Sequence, residues 1–232
     1  MKIGEKLDNN RDFRNRNKTD FEEYNKFRME QKKYDSLMEK ERLEKEKKHN
    51  LKKKKEKLQL FDESIPNRYK GMSLKKLYRK NNTDAKKIVK TLTQNNTNSY
   101  SIFIIQNNAV QREKNIYAII RDYIEMDIAD IEEISFFTEQ ELITQATTGF
   151  SGYSEYKEKS KNAKVFIIQG FKRTDYTAKE IRFFDEILYD CFHNDKVLII
   201  GSTINLANYK NFLNDESYQY LIEIIDKNVV ML

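Results

Sequence analysis

Val165-Phe166-Ile167-Ile168-Gln169-Gly170 is a run of four apolar residues closed by a glutamine and a glycine. A stretch this short, rich in β-branched residues and without alternation, predicts a strand buried on both faces, as found inside a mainly parallel sheet covered by helices. Two more runs have the same make-up. Ser101-Ile102-Phe103-Ile104-Ile105-Gln106 lies upstream and Lys196-Val197-Leu198-Ile199-Ile200-Gly201-Ser202 downstream, with helical patterns long enough for crossovers between them. In such a sheet ligands bind at the carboxyl ends of the strands, so the residues just after each run are the candidates for chemistry.

Working outward from the central run, Thr177-x-x-Glu180 is a capping box that opens an amphipathic helix through Ile181, Phe184, Ile187, Leu188, Cys191 and Phe192. Helices follow near Leu206 to Leu213 and Ser217 to Ile225, and Val229 to Leu232 ends the chain as a strand. Upstream, Glu133 to Phe137 predicts a strand and Thr138-x-x-Glu141 a second capping box, with Gly149-Phe150-Ser151-Gly152 breaking the helix it starts. The loop so formed carries Phe150 and Tyr153, which suit contact or stacking on single-stranded bases. A helix from about Gln111 to Glu125 has Ile116, Ile119, Ile120, Tyr123 and Ile124 on one face. Before the first strand, Ser73 caps a short helix over Leu74 to Arg79, and Thr83 or Asp84 starts another in which Ile88, Val89 and Leu92 share a face. Alternation of this kind predicts a three-layer α/β domain with a mainly parallel sheet.

The only proline, in Ile65-Pro66-Asn67-Arg68-Tyr69, marks the domain junction, with residues 1–64 as an extension and residues 65–232 as the α/β domain. Between Glu5 and Ser64 there is neither glycine nor proline, and Lys, Glu, Arg and Gln dominate, so the extension is predicted helical. Tyr24, Phe27, Tyr34 and Met38 form one narrow apolar stripe, suited to docking on a partner helix. Beyond it the helix is almost wholly charged, and the run Lys52, Lys53, Lys54 and Lys55 is the candidate nucleic-acid contact.

The 232 residues carry a net charge of +6, and residues 1–60 alone hold 20 Lys/Arg against 13 Asp/Glu. Attraction to phosphates or acidic surfaces is therefore expected in that first quarter. One cysteine, Cys191, excludes an internal disulfide, and with only His49 and His193 beside it no zinc site of the usual Cys/His kind can be assembled. Cys191 falls on an apolar helix face, which reads as a structural thiol. These features suit a reducing cytoplasm, and no stretch reaches the ~18 apolar residues of a membrane span. No pair of carboxylates stands out as an acid/base dyad.

The order of elements resembles the AAA+ helicase loaders of the bacterial DnaC/DnaI type and their IstB-type transposition relatives. Ile65-Pro66-x-Arg68-Tyr69 is similar to the motif that opens their ATPase domain. Phe136-Phe137-Thr138-Glu139-Gln140-Glu141-Leu142 resembles the strand and helix before their second nucleotide motif, Val165 to Phe171 the strand bearing that motif, and Ile199-Ile200-Gly201-Ser202-Thr203 the sensor strand. The resemblance covers Ile65 to Leu232 and implies an AAA+, P-loop NTPase-like fold and a role in DNA replication at a replicative DnaB-type helicase.

The groups that the family's chemistry requires are missing from the positions that match. A phosphate loop needs glycines to bring backbone N–H groups to the phosphates, a lysine, and a hydroxyl for magnesium. The corresponding stretch is Gln106-Asn107-Asn108-Ala109-Val110-Gln111-Arg112-Glu113-Lys114, without a glycine, and the lysine position falls on Arg112 or Glu113. The two acidic positions that would hold magnesium and polarise water are Gln169 and Gly170. The sensor asparagine is Thr203, after Ser202, and no arginine follows Arg182 to act as a finger on a neighbouring subunit. The expectation is a pseudo-ATPase without ATP or magnesium, from a phage or mobile element, that binds a replicative helicase or a loader as adaptor or inhibitor. A nucleic-acid-binding accessory protein and a weak ATP-dependent loader are the alternatives.

Overall fold

Ile102–Ile105, Val165–Phe171 and Val197–Ser202 are strands β1, β3 and β4, joined by β2 (Ile134–Thr138) and β5 (Val229–Met231). The structure is a computed structural model describing residues 4–94, 100–148, 150–173, 175–226 and 228–232; for residues 4–25, 27, 94, 150–153 and 155 only the backbone is described. The strands form one parallel sheet in the order β2-β3-β4-β1-β5. The helices are α1 (Gly4–Ser64), α2 (Leu74–Arg79), α3 (Thr83–Gln94), α4 (Ala109–Glu125), α5 (Glu139–Thr147), α6 (Phe150–Ser160), α7 (Ala178–His193) and α8 (Asp215–Ile225).

Each apolar run divides its side chains by parity, which is why it shows no alternation with polar residues. Ile102, Ile104, Val165, Ile167 and Ile199 pack on one side with the end of α1 and with α2, α3 and α4. Phe103, Phe166, Ile168, Leu198 and Ile200 pack on the other with α5, α6, α7 and α8. The chain leaves β1 through α4, passes β4 and β3 to reach the edge strand β2, and then steps back across the sheet. Reversing direction in a right-handed crossover sends the connecting helices to opposite faces, so the three-layer α/β architecture follows from the strand order.

Both predicted capping boxes are formed. Thr138 Oγ1 accepts from Glu141 N at 3.2 Å while the Glu141 carboxylate accepts from Thr138 N at 2.7 Å, and Thr177 with Glu180 repeats the pattern at 3.4 and 2.6 Å. Three local details are added or corrected. The helix expected near Leu206 is a 3-10 helix over Leu206–Asn211. The stretch 150–153 is the first turn of α6 rather than a loop, so the base-stacking reading of Phe150 and Tyr153 loses its loop, and their side chains lie outside the described residues. Finally, α4 begins at Ala109, two residues before the expected Gln111, because Asn108 caps it by accepting from Gln111 N at 3.1 Å.

The chain divides into compact units at residues 1–53 and 54–232, inside α1 and ahead of the Ile65 junction read from the proline. In the larger unit the last turns of α1 belong to the α/β core. Phe61 and Ile65 are buried there, Leu58 packs against them, Lys57 pairs with Asp127 at 3.6 Å and also with Asp130, and Asp62 accepts from Arg121 at 2.6 Å. In the unit of residues 1–53, the described apolar side chains of α1 are exposed, Tyr34 at 59% and Met38 at 49%.

Asp122 on α4 accepts from the backbone of Leu74 and Lys75 in the first turn of α2. Burial, reinforced by the nearby Glu125 carboxylate, pushes its carboxyl up to about 6, against the opposing pull of those two amides. A raised carboxyl binds its proton more readily in the folded than in the unfolded chain, so this group's contribution grows as pH falls from about 6 towards about 4. Asp122→Asn keeps an acceptor and removes the buried charge; it is expected to stabilise the domain by about 1 kcal/mol at pH 7, after allowance for partial solvent screening. Calorimetric melting from neutral to acid pH should show that advantage shrinking to nothing near pH 4.

Candidate functional site

Ile105 pairs with Ser202, and Gln169 with Gly201 and Thr138, so the residues after β1, β2, β3 and β4 meet at one carboxyl edge. The fold thus brings Gln106, Arg112, Gln169 and Ser202, positions read from the sequence, to one edge, with Glu139 and Gly201 beside them. What stands there is a set of buried polar side chains bonded largely within the protein.

Only Gln106, Asn107 and Asn108 separate β1 from α4, so a tight turn stands where a phosphate loop would run. Gln106 Nε2 donates to Asp84 Oδ2 of α3 at 3.0 Å, and Asn115 Nδ2 donates to Gln106 Oε1 at 3.2 Å. Gln106 and Asn115 are both buried, and these bonds hold the turn down against α3 and α4. Ala109 opens the helix, and Lys114 is half-buried.

The structure also separates the two candidates for the lysine position. Arg112 faces the sheet and is 4% exposed; its Nη1 donates to the Gln106 carbonyl at 2.5 Å. Its aliphatic stem lies over Gly201, where an added Cβ would sit 3.1 Å from Arg112 Cδ and 2.7 Å from Ile116 Cδ1. Burial lowers the pKa of this guanidinium, opposed by the carboxylates of Glu113 and Glu139. Glu113 turns the other way. It accepts from Tyr69 Oη at 2.5 Å and from Arg68 Nη2 at 3.0 Å. Burial, then Glu113, pushes the Tyr69 hydroxyl up to about 12. The junction motif Ile65-Pro66-x-Arg68-Tyr69 therefore clamps the start of α4, where Tyr69 also stacks on Tyr117 with centroids 5.0 Å apart.

At the end of β3, Gln169 is buried and Gly170 is the extra residue of a β-bulge, with φ of +91°. A side chain there would have open space but a strained backbone, so an acidic residue in that position costs about 1–2 kcal/mol. Ser202 is fully buried; its Oγ accepts from Ile204 N at 3.0 Å and from Tyr209 Oη at 3.3 Å. Thr203 N donates to the Phe171 carbonyl at 2.8 Å, and its hydroxyl donates to the same oxygen at 3.3 Å. Both sensor-strand residues are thus spent on tying β4 to the end of β3.

Glu139 is the acidic group at this edge that the motif comparison passed over. It follows Thr138, the partner of Gln169, and its carboxylate accepts from Tyr176 Oη and from the backbone N of Lys172 and Arg173, each at 3.3 Å. Two amides and a hydroxyl on one buried carboxylate make a clamp on the loop after β3. Its only sequence signal was an acid in the first turn of a helix, which is too common to single out.

A triphosphate with magnesium would need exposed backbone N–H groups, a free cation and an acidic ligand at this edge. The space against Gly201 holds the protein's own Arg112, and Glu139 Oε1 already accepts from Tyr176, Lys172 and Arg173. Among the described residues no three His, Cys, Asp or Glu side chains converge as a metal site, and no helix is long and apolar enough to cross a membrane. A cleft of about 550 Å³ lies near the opposite, amino ends of β1 and β4, between Tyr100, His193, Lys196 and Glu223. Cys191 lines it but is buried, and burial pushes its thiol up to about 12, as suits a structural residue.

Of the other predicted positions, Tyr24 and Phe27 have side chains outside the described residues, whereas Tyr34 and Met38 are exposed on α1. The run Lys52 to Lys55 does not present a uniform cationic face. Lys54 is half-buried with its ammonium 3.9 Å from Asp127, while Lys53 and Lys55 are exposed.

No family model matches the chain, and no curated protein matches it. Among solved structures it is similar to a DNA replication initiation factor, at 11% identity and a TM-score of 0.51, over 72% of this chain and 50% of that one. It is also similar to AMPPCP-bound DnaA from Aquifex aeolicus, at 9% identity and a TM-score of 0.48, over 64% of this chain and 45% of that one. A proposed primosome component from Streptococcus pyogenes serotype M3 gives 12% identity and a TM-score of 0.49, over 73% of this chain and 88% of that one. The chain spans about half the length of the initiation factor and of DnaA. At such identities the likeness is one of fold, the three-layer α/β fold with a parallel sheet that the strand runs predict.

Proposed function

We propose that this chain is a non-hydrolysing relative of the helicase loaders, an adaptor or inhibitor that works by binding and neither holds nor cleaves ATP. One observation supports the reading: the buried Arg112 side chain lies against Gly201 and donates to the Gln106 carbonyl, beside a three-residue turn without glycine where a phosphate loop would run. The replication setting comes from the fold likeness to a replication initiation factor and from the sequence resemblance to loaders. The partner in this reading is a replicative DnaB-type helicase or a loader subunit. Tyr24, Phe27, Tyr34 and Met38 on α1 form the docking stripe, and the α/β domain is a rigid support whose former catalytic edge has become internal packing.

Titration calorimetry of the full chain with magnesium and ATP at physiological concentration is expected to show no saturable heat. Saturable binding would sink the proposal. Its second half is tested by co-purification with a purified DnaB-type helicase, expected for the native chain and lost when Tyr24, Phe27 and Tyr34 become alanine. Absence of a complex at micromolar concentration removes the helicase and leaves the ATP result standing.

A further inference from the structure

The small overall charge of the α/β domain hides a strong internal separation. Residues 65–92 contain nine Lys/Arg and one Asp, a net +8, whereas residues 93–232 contain 14 Lys/Arg and 21 Asp/Glu, a net −7. The positive segment is the junction together with the α2–α3 hairpin. Its one acid, Asp84, is turned inward onto Gln106 and Asn115. Of the nine cations only Arg68 is paired with a carboxylate, Glu113; the other eight lie exposed, and among the described residues none of them has an ion-pair partner. Lys76, Lys86 and Lys87 instead donate to the neutral oxygens of Gly71, Asn81 and Met231.

Elsewhere in the domain acids outnumber cations and several cations are paired with them, Lys196 with Asp190 at 2.8 Å, Lys164 with Glu133 at 2.7 Å and Arg121 with Asp62 at 2.6 Å. On the hairpin, like charges recur at four-residue spacing, Lys75 with Arg79, Lys76 with Lys80, and Lys86 with Lys90. Each such pair opposes helix formation by a few tenths of a kcal/mol, a persistent cost that a polyanionic ligand would reverse. Tyr78 stands among them at 46% exposure, an aromatic ring beside the cations.

We infer that the α2–α3 hairpin is a binding surface for single-stranded nucleic acid, with the lysines and Arg79 tracking the phosphates and Tyr78 stacking on a base. Cationic side chains around an exposed ring are the combination that holds an unpaired strand without reading its sequence. An anionic membrane suits the surface less well. Leu74, Leu77, Ala85 and Ile88 are buried in the core and Val89 and Leu92 are half-buried against it, so the hairpin offers no wide apolar face to enter a bilayer. The inference does not depend on the state of the nucleotide site, and it places the contact on the α/β domain instead of on Lys52 to Lys55.

The test is fluorescence anisotropy of a labelled oligonucleotide of about 20 bases with the full chain, at salt from about 50 to about 200 mM. The native chain is expected to bind with affinity falling steeply as salt rises. Replacing Lys75, Arg79 and Lys90 together by glutamine should weaken binding at low salt more than tenfold and make the slope of log affinity against log salt shallower by about 2. Tyr78→Ala should weaken binding about fivefold or more with the slope unchanged. Lys53→Gln with Lys55→Gln should leave binding within about twofold of native. All these side chains are exposed, so unchanged melting temperatures verify the fold. The inference fails if the native chain does not bind the oligonucleotide at low salt, or if the triple variant binds with native affinity and slope. It also fails if the triple substitution abolishes binding to anionic vesicles or to a poly-aspartate chain while sparing the oligonucleotide.

Discussion

Phe166→Ala is expected to lower the stability of the α/β domain by about 4 kcal/mol, measured as a shift in denaturant midpoint at unchanged slope. Phe166 is fully buried at the centre of β3, stacked on Phe137 with centroids 5.1 Å apart and edge-on to Tyr156 at 5.9 Å. Tyr156 in turn meets Phe183 of α7 at 5.0 Å. The ring therefore joins strands β2 and β3 to helices α6 and α7, and truncation leaves a cavity between rigid aromatic neighbours that cannot close it. Against a total stability of ~5–15 kcal/mol for an ordinary domain, such a loss is a large fraction. A cost below about 1.5 kcal/mol would mean that the layer between the sheet and α6 is loosely packed.

Arg112→Ala is expected to cost about 3 kcal/mol, for a different reason. The substitution removes the donor to the Gln106 carbonyl, the stem packed on Gly201 and a positive charge facing the buried Glu139. Arg112→Met retains most of the stem, so its cost should be about half as large, and the difference between the two measures packing against charge. Neither variant should acquire binding of magnesium and ATP, since clearing the space supplies no glycine backbone to replace the turn from Gln106 to Asn108. If Arg112→Ala proved as stable as the native chain, the role assigned to this side chain would be withdrawn.

The fold was legible in the chain because its evidence is local. Runs of β-branched residues, two Thr-x-x-Glu boxes and a lone proline each state a backbone preference that packing reinforced, and the strands, both capping boxes and α7 lie where those signals put them. The differences also have local causes. A proline marks where a helix cannot continue, while Phe61 before it is already in the core with Leu58 packed against it, and the compact units divide near Lys53. Gly152 fits inside α6, since a glycine weakens a helix without forbidding it. The charged hairpin was present in the composition and was hidden by averaging it with an acidic remainder.

By itself the sequence determined that a parallel α/β sheet would form and that the turn after β1 would carry no glycine and the end of β3 no acidic residue. Only the tertiary structure showed that Arg112 and Glu113 part company, one on the face of α4 that meets Gly201 and the other on the face that meets Tyr69. It alone revealed Glu139 as a buried carboxylate at this edge, brought beside Gln169 by the pairing of β2 with β3. Periodicity is written along one chain and can be read there. The direction of a buried charge is set by partners distant in sequence, since in a low-dielectric interior it settles wherever a counter-dipole or an opposite charge can be found.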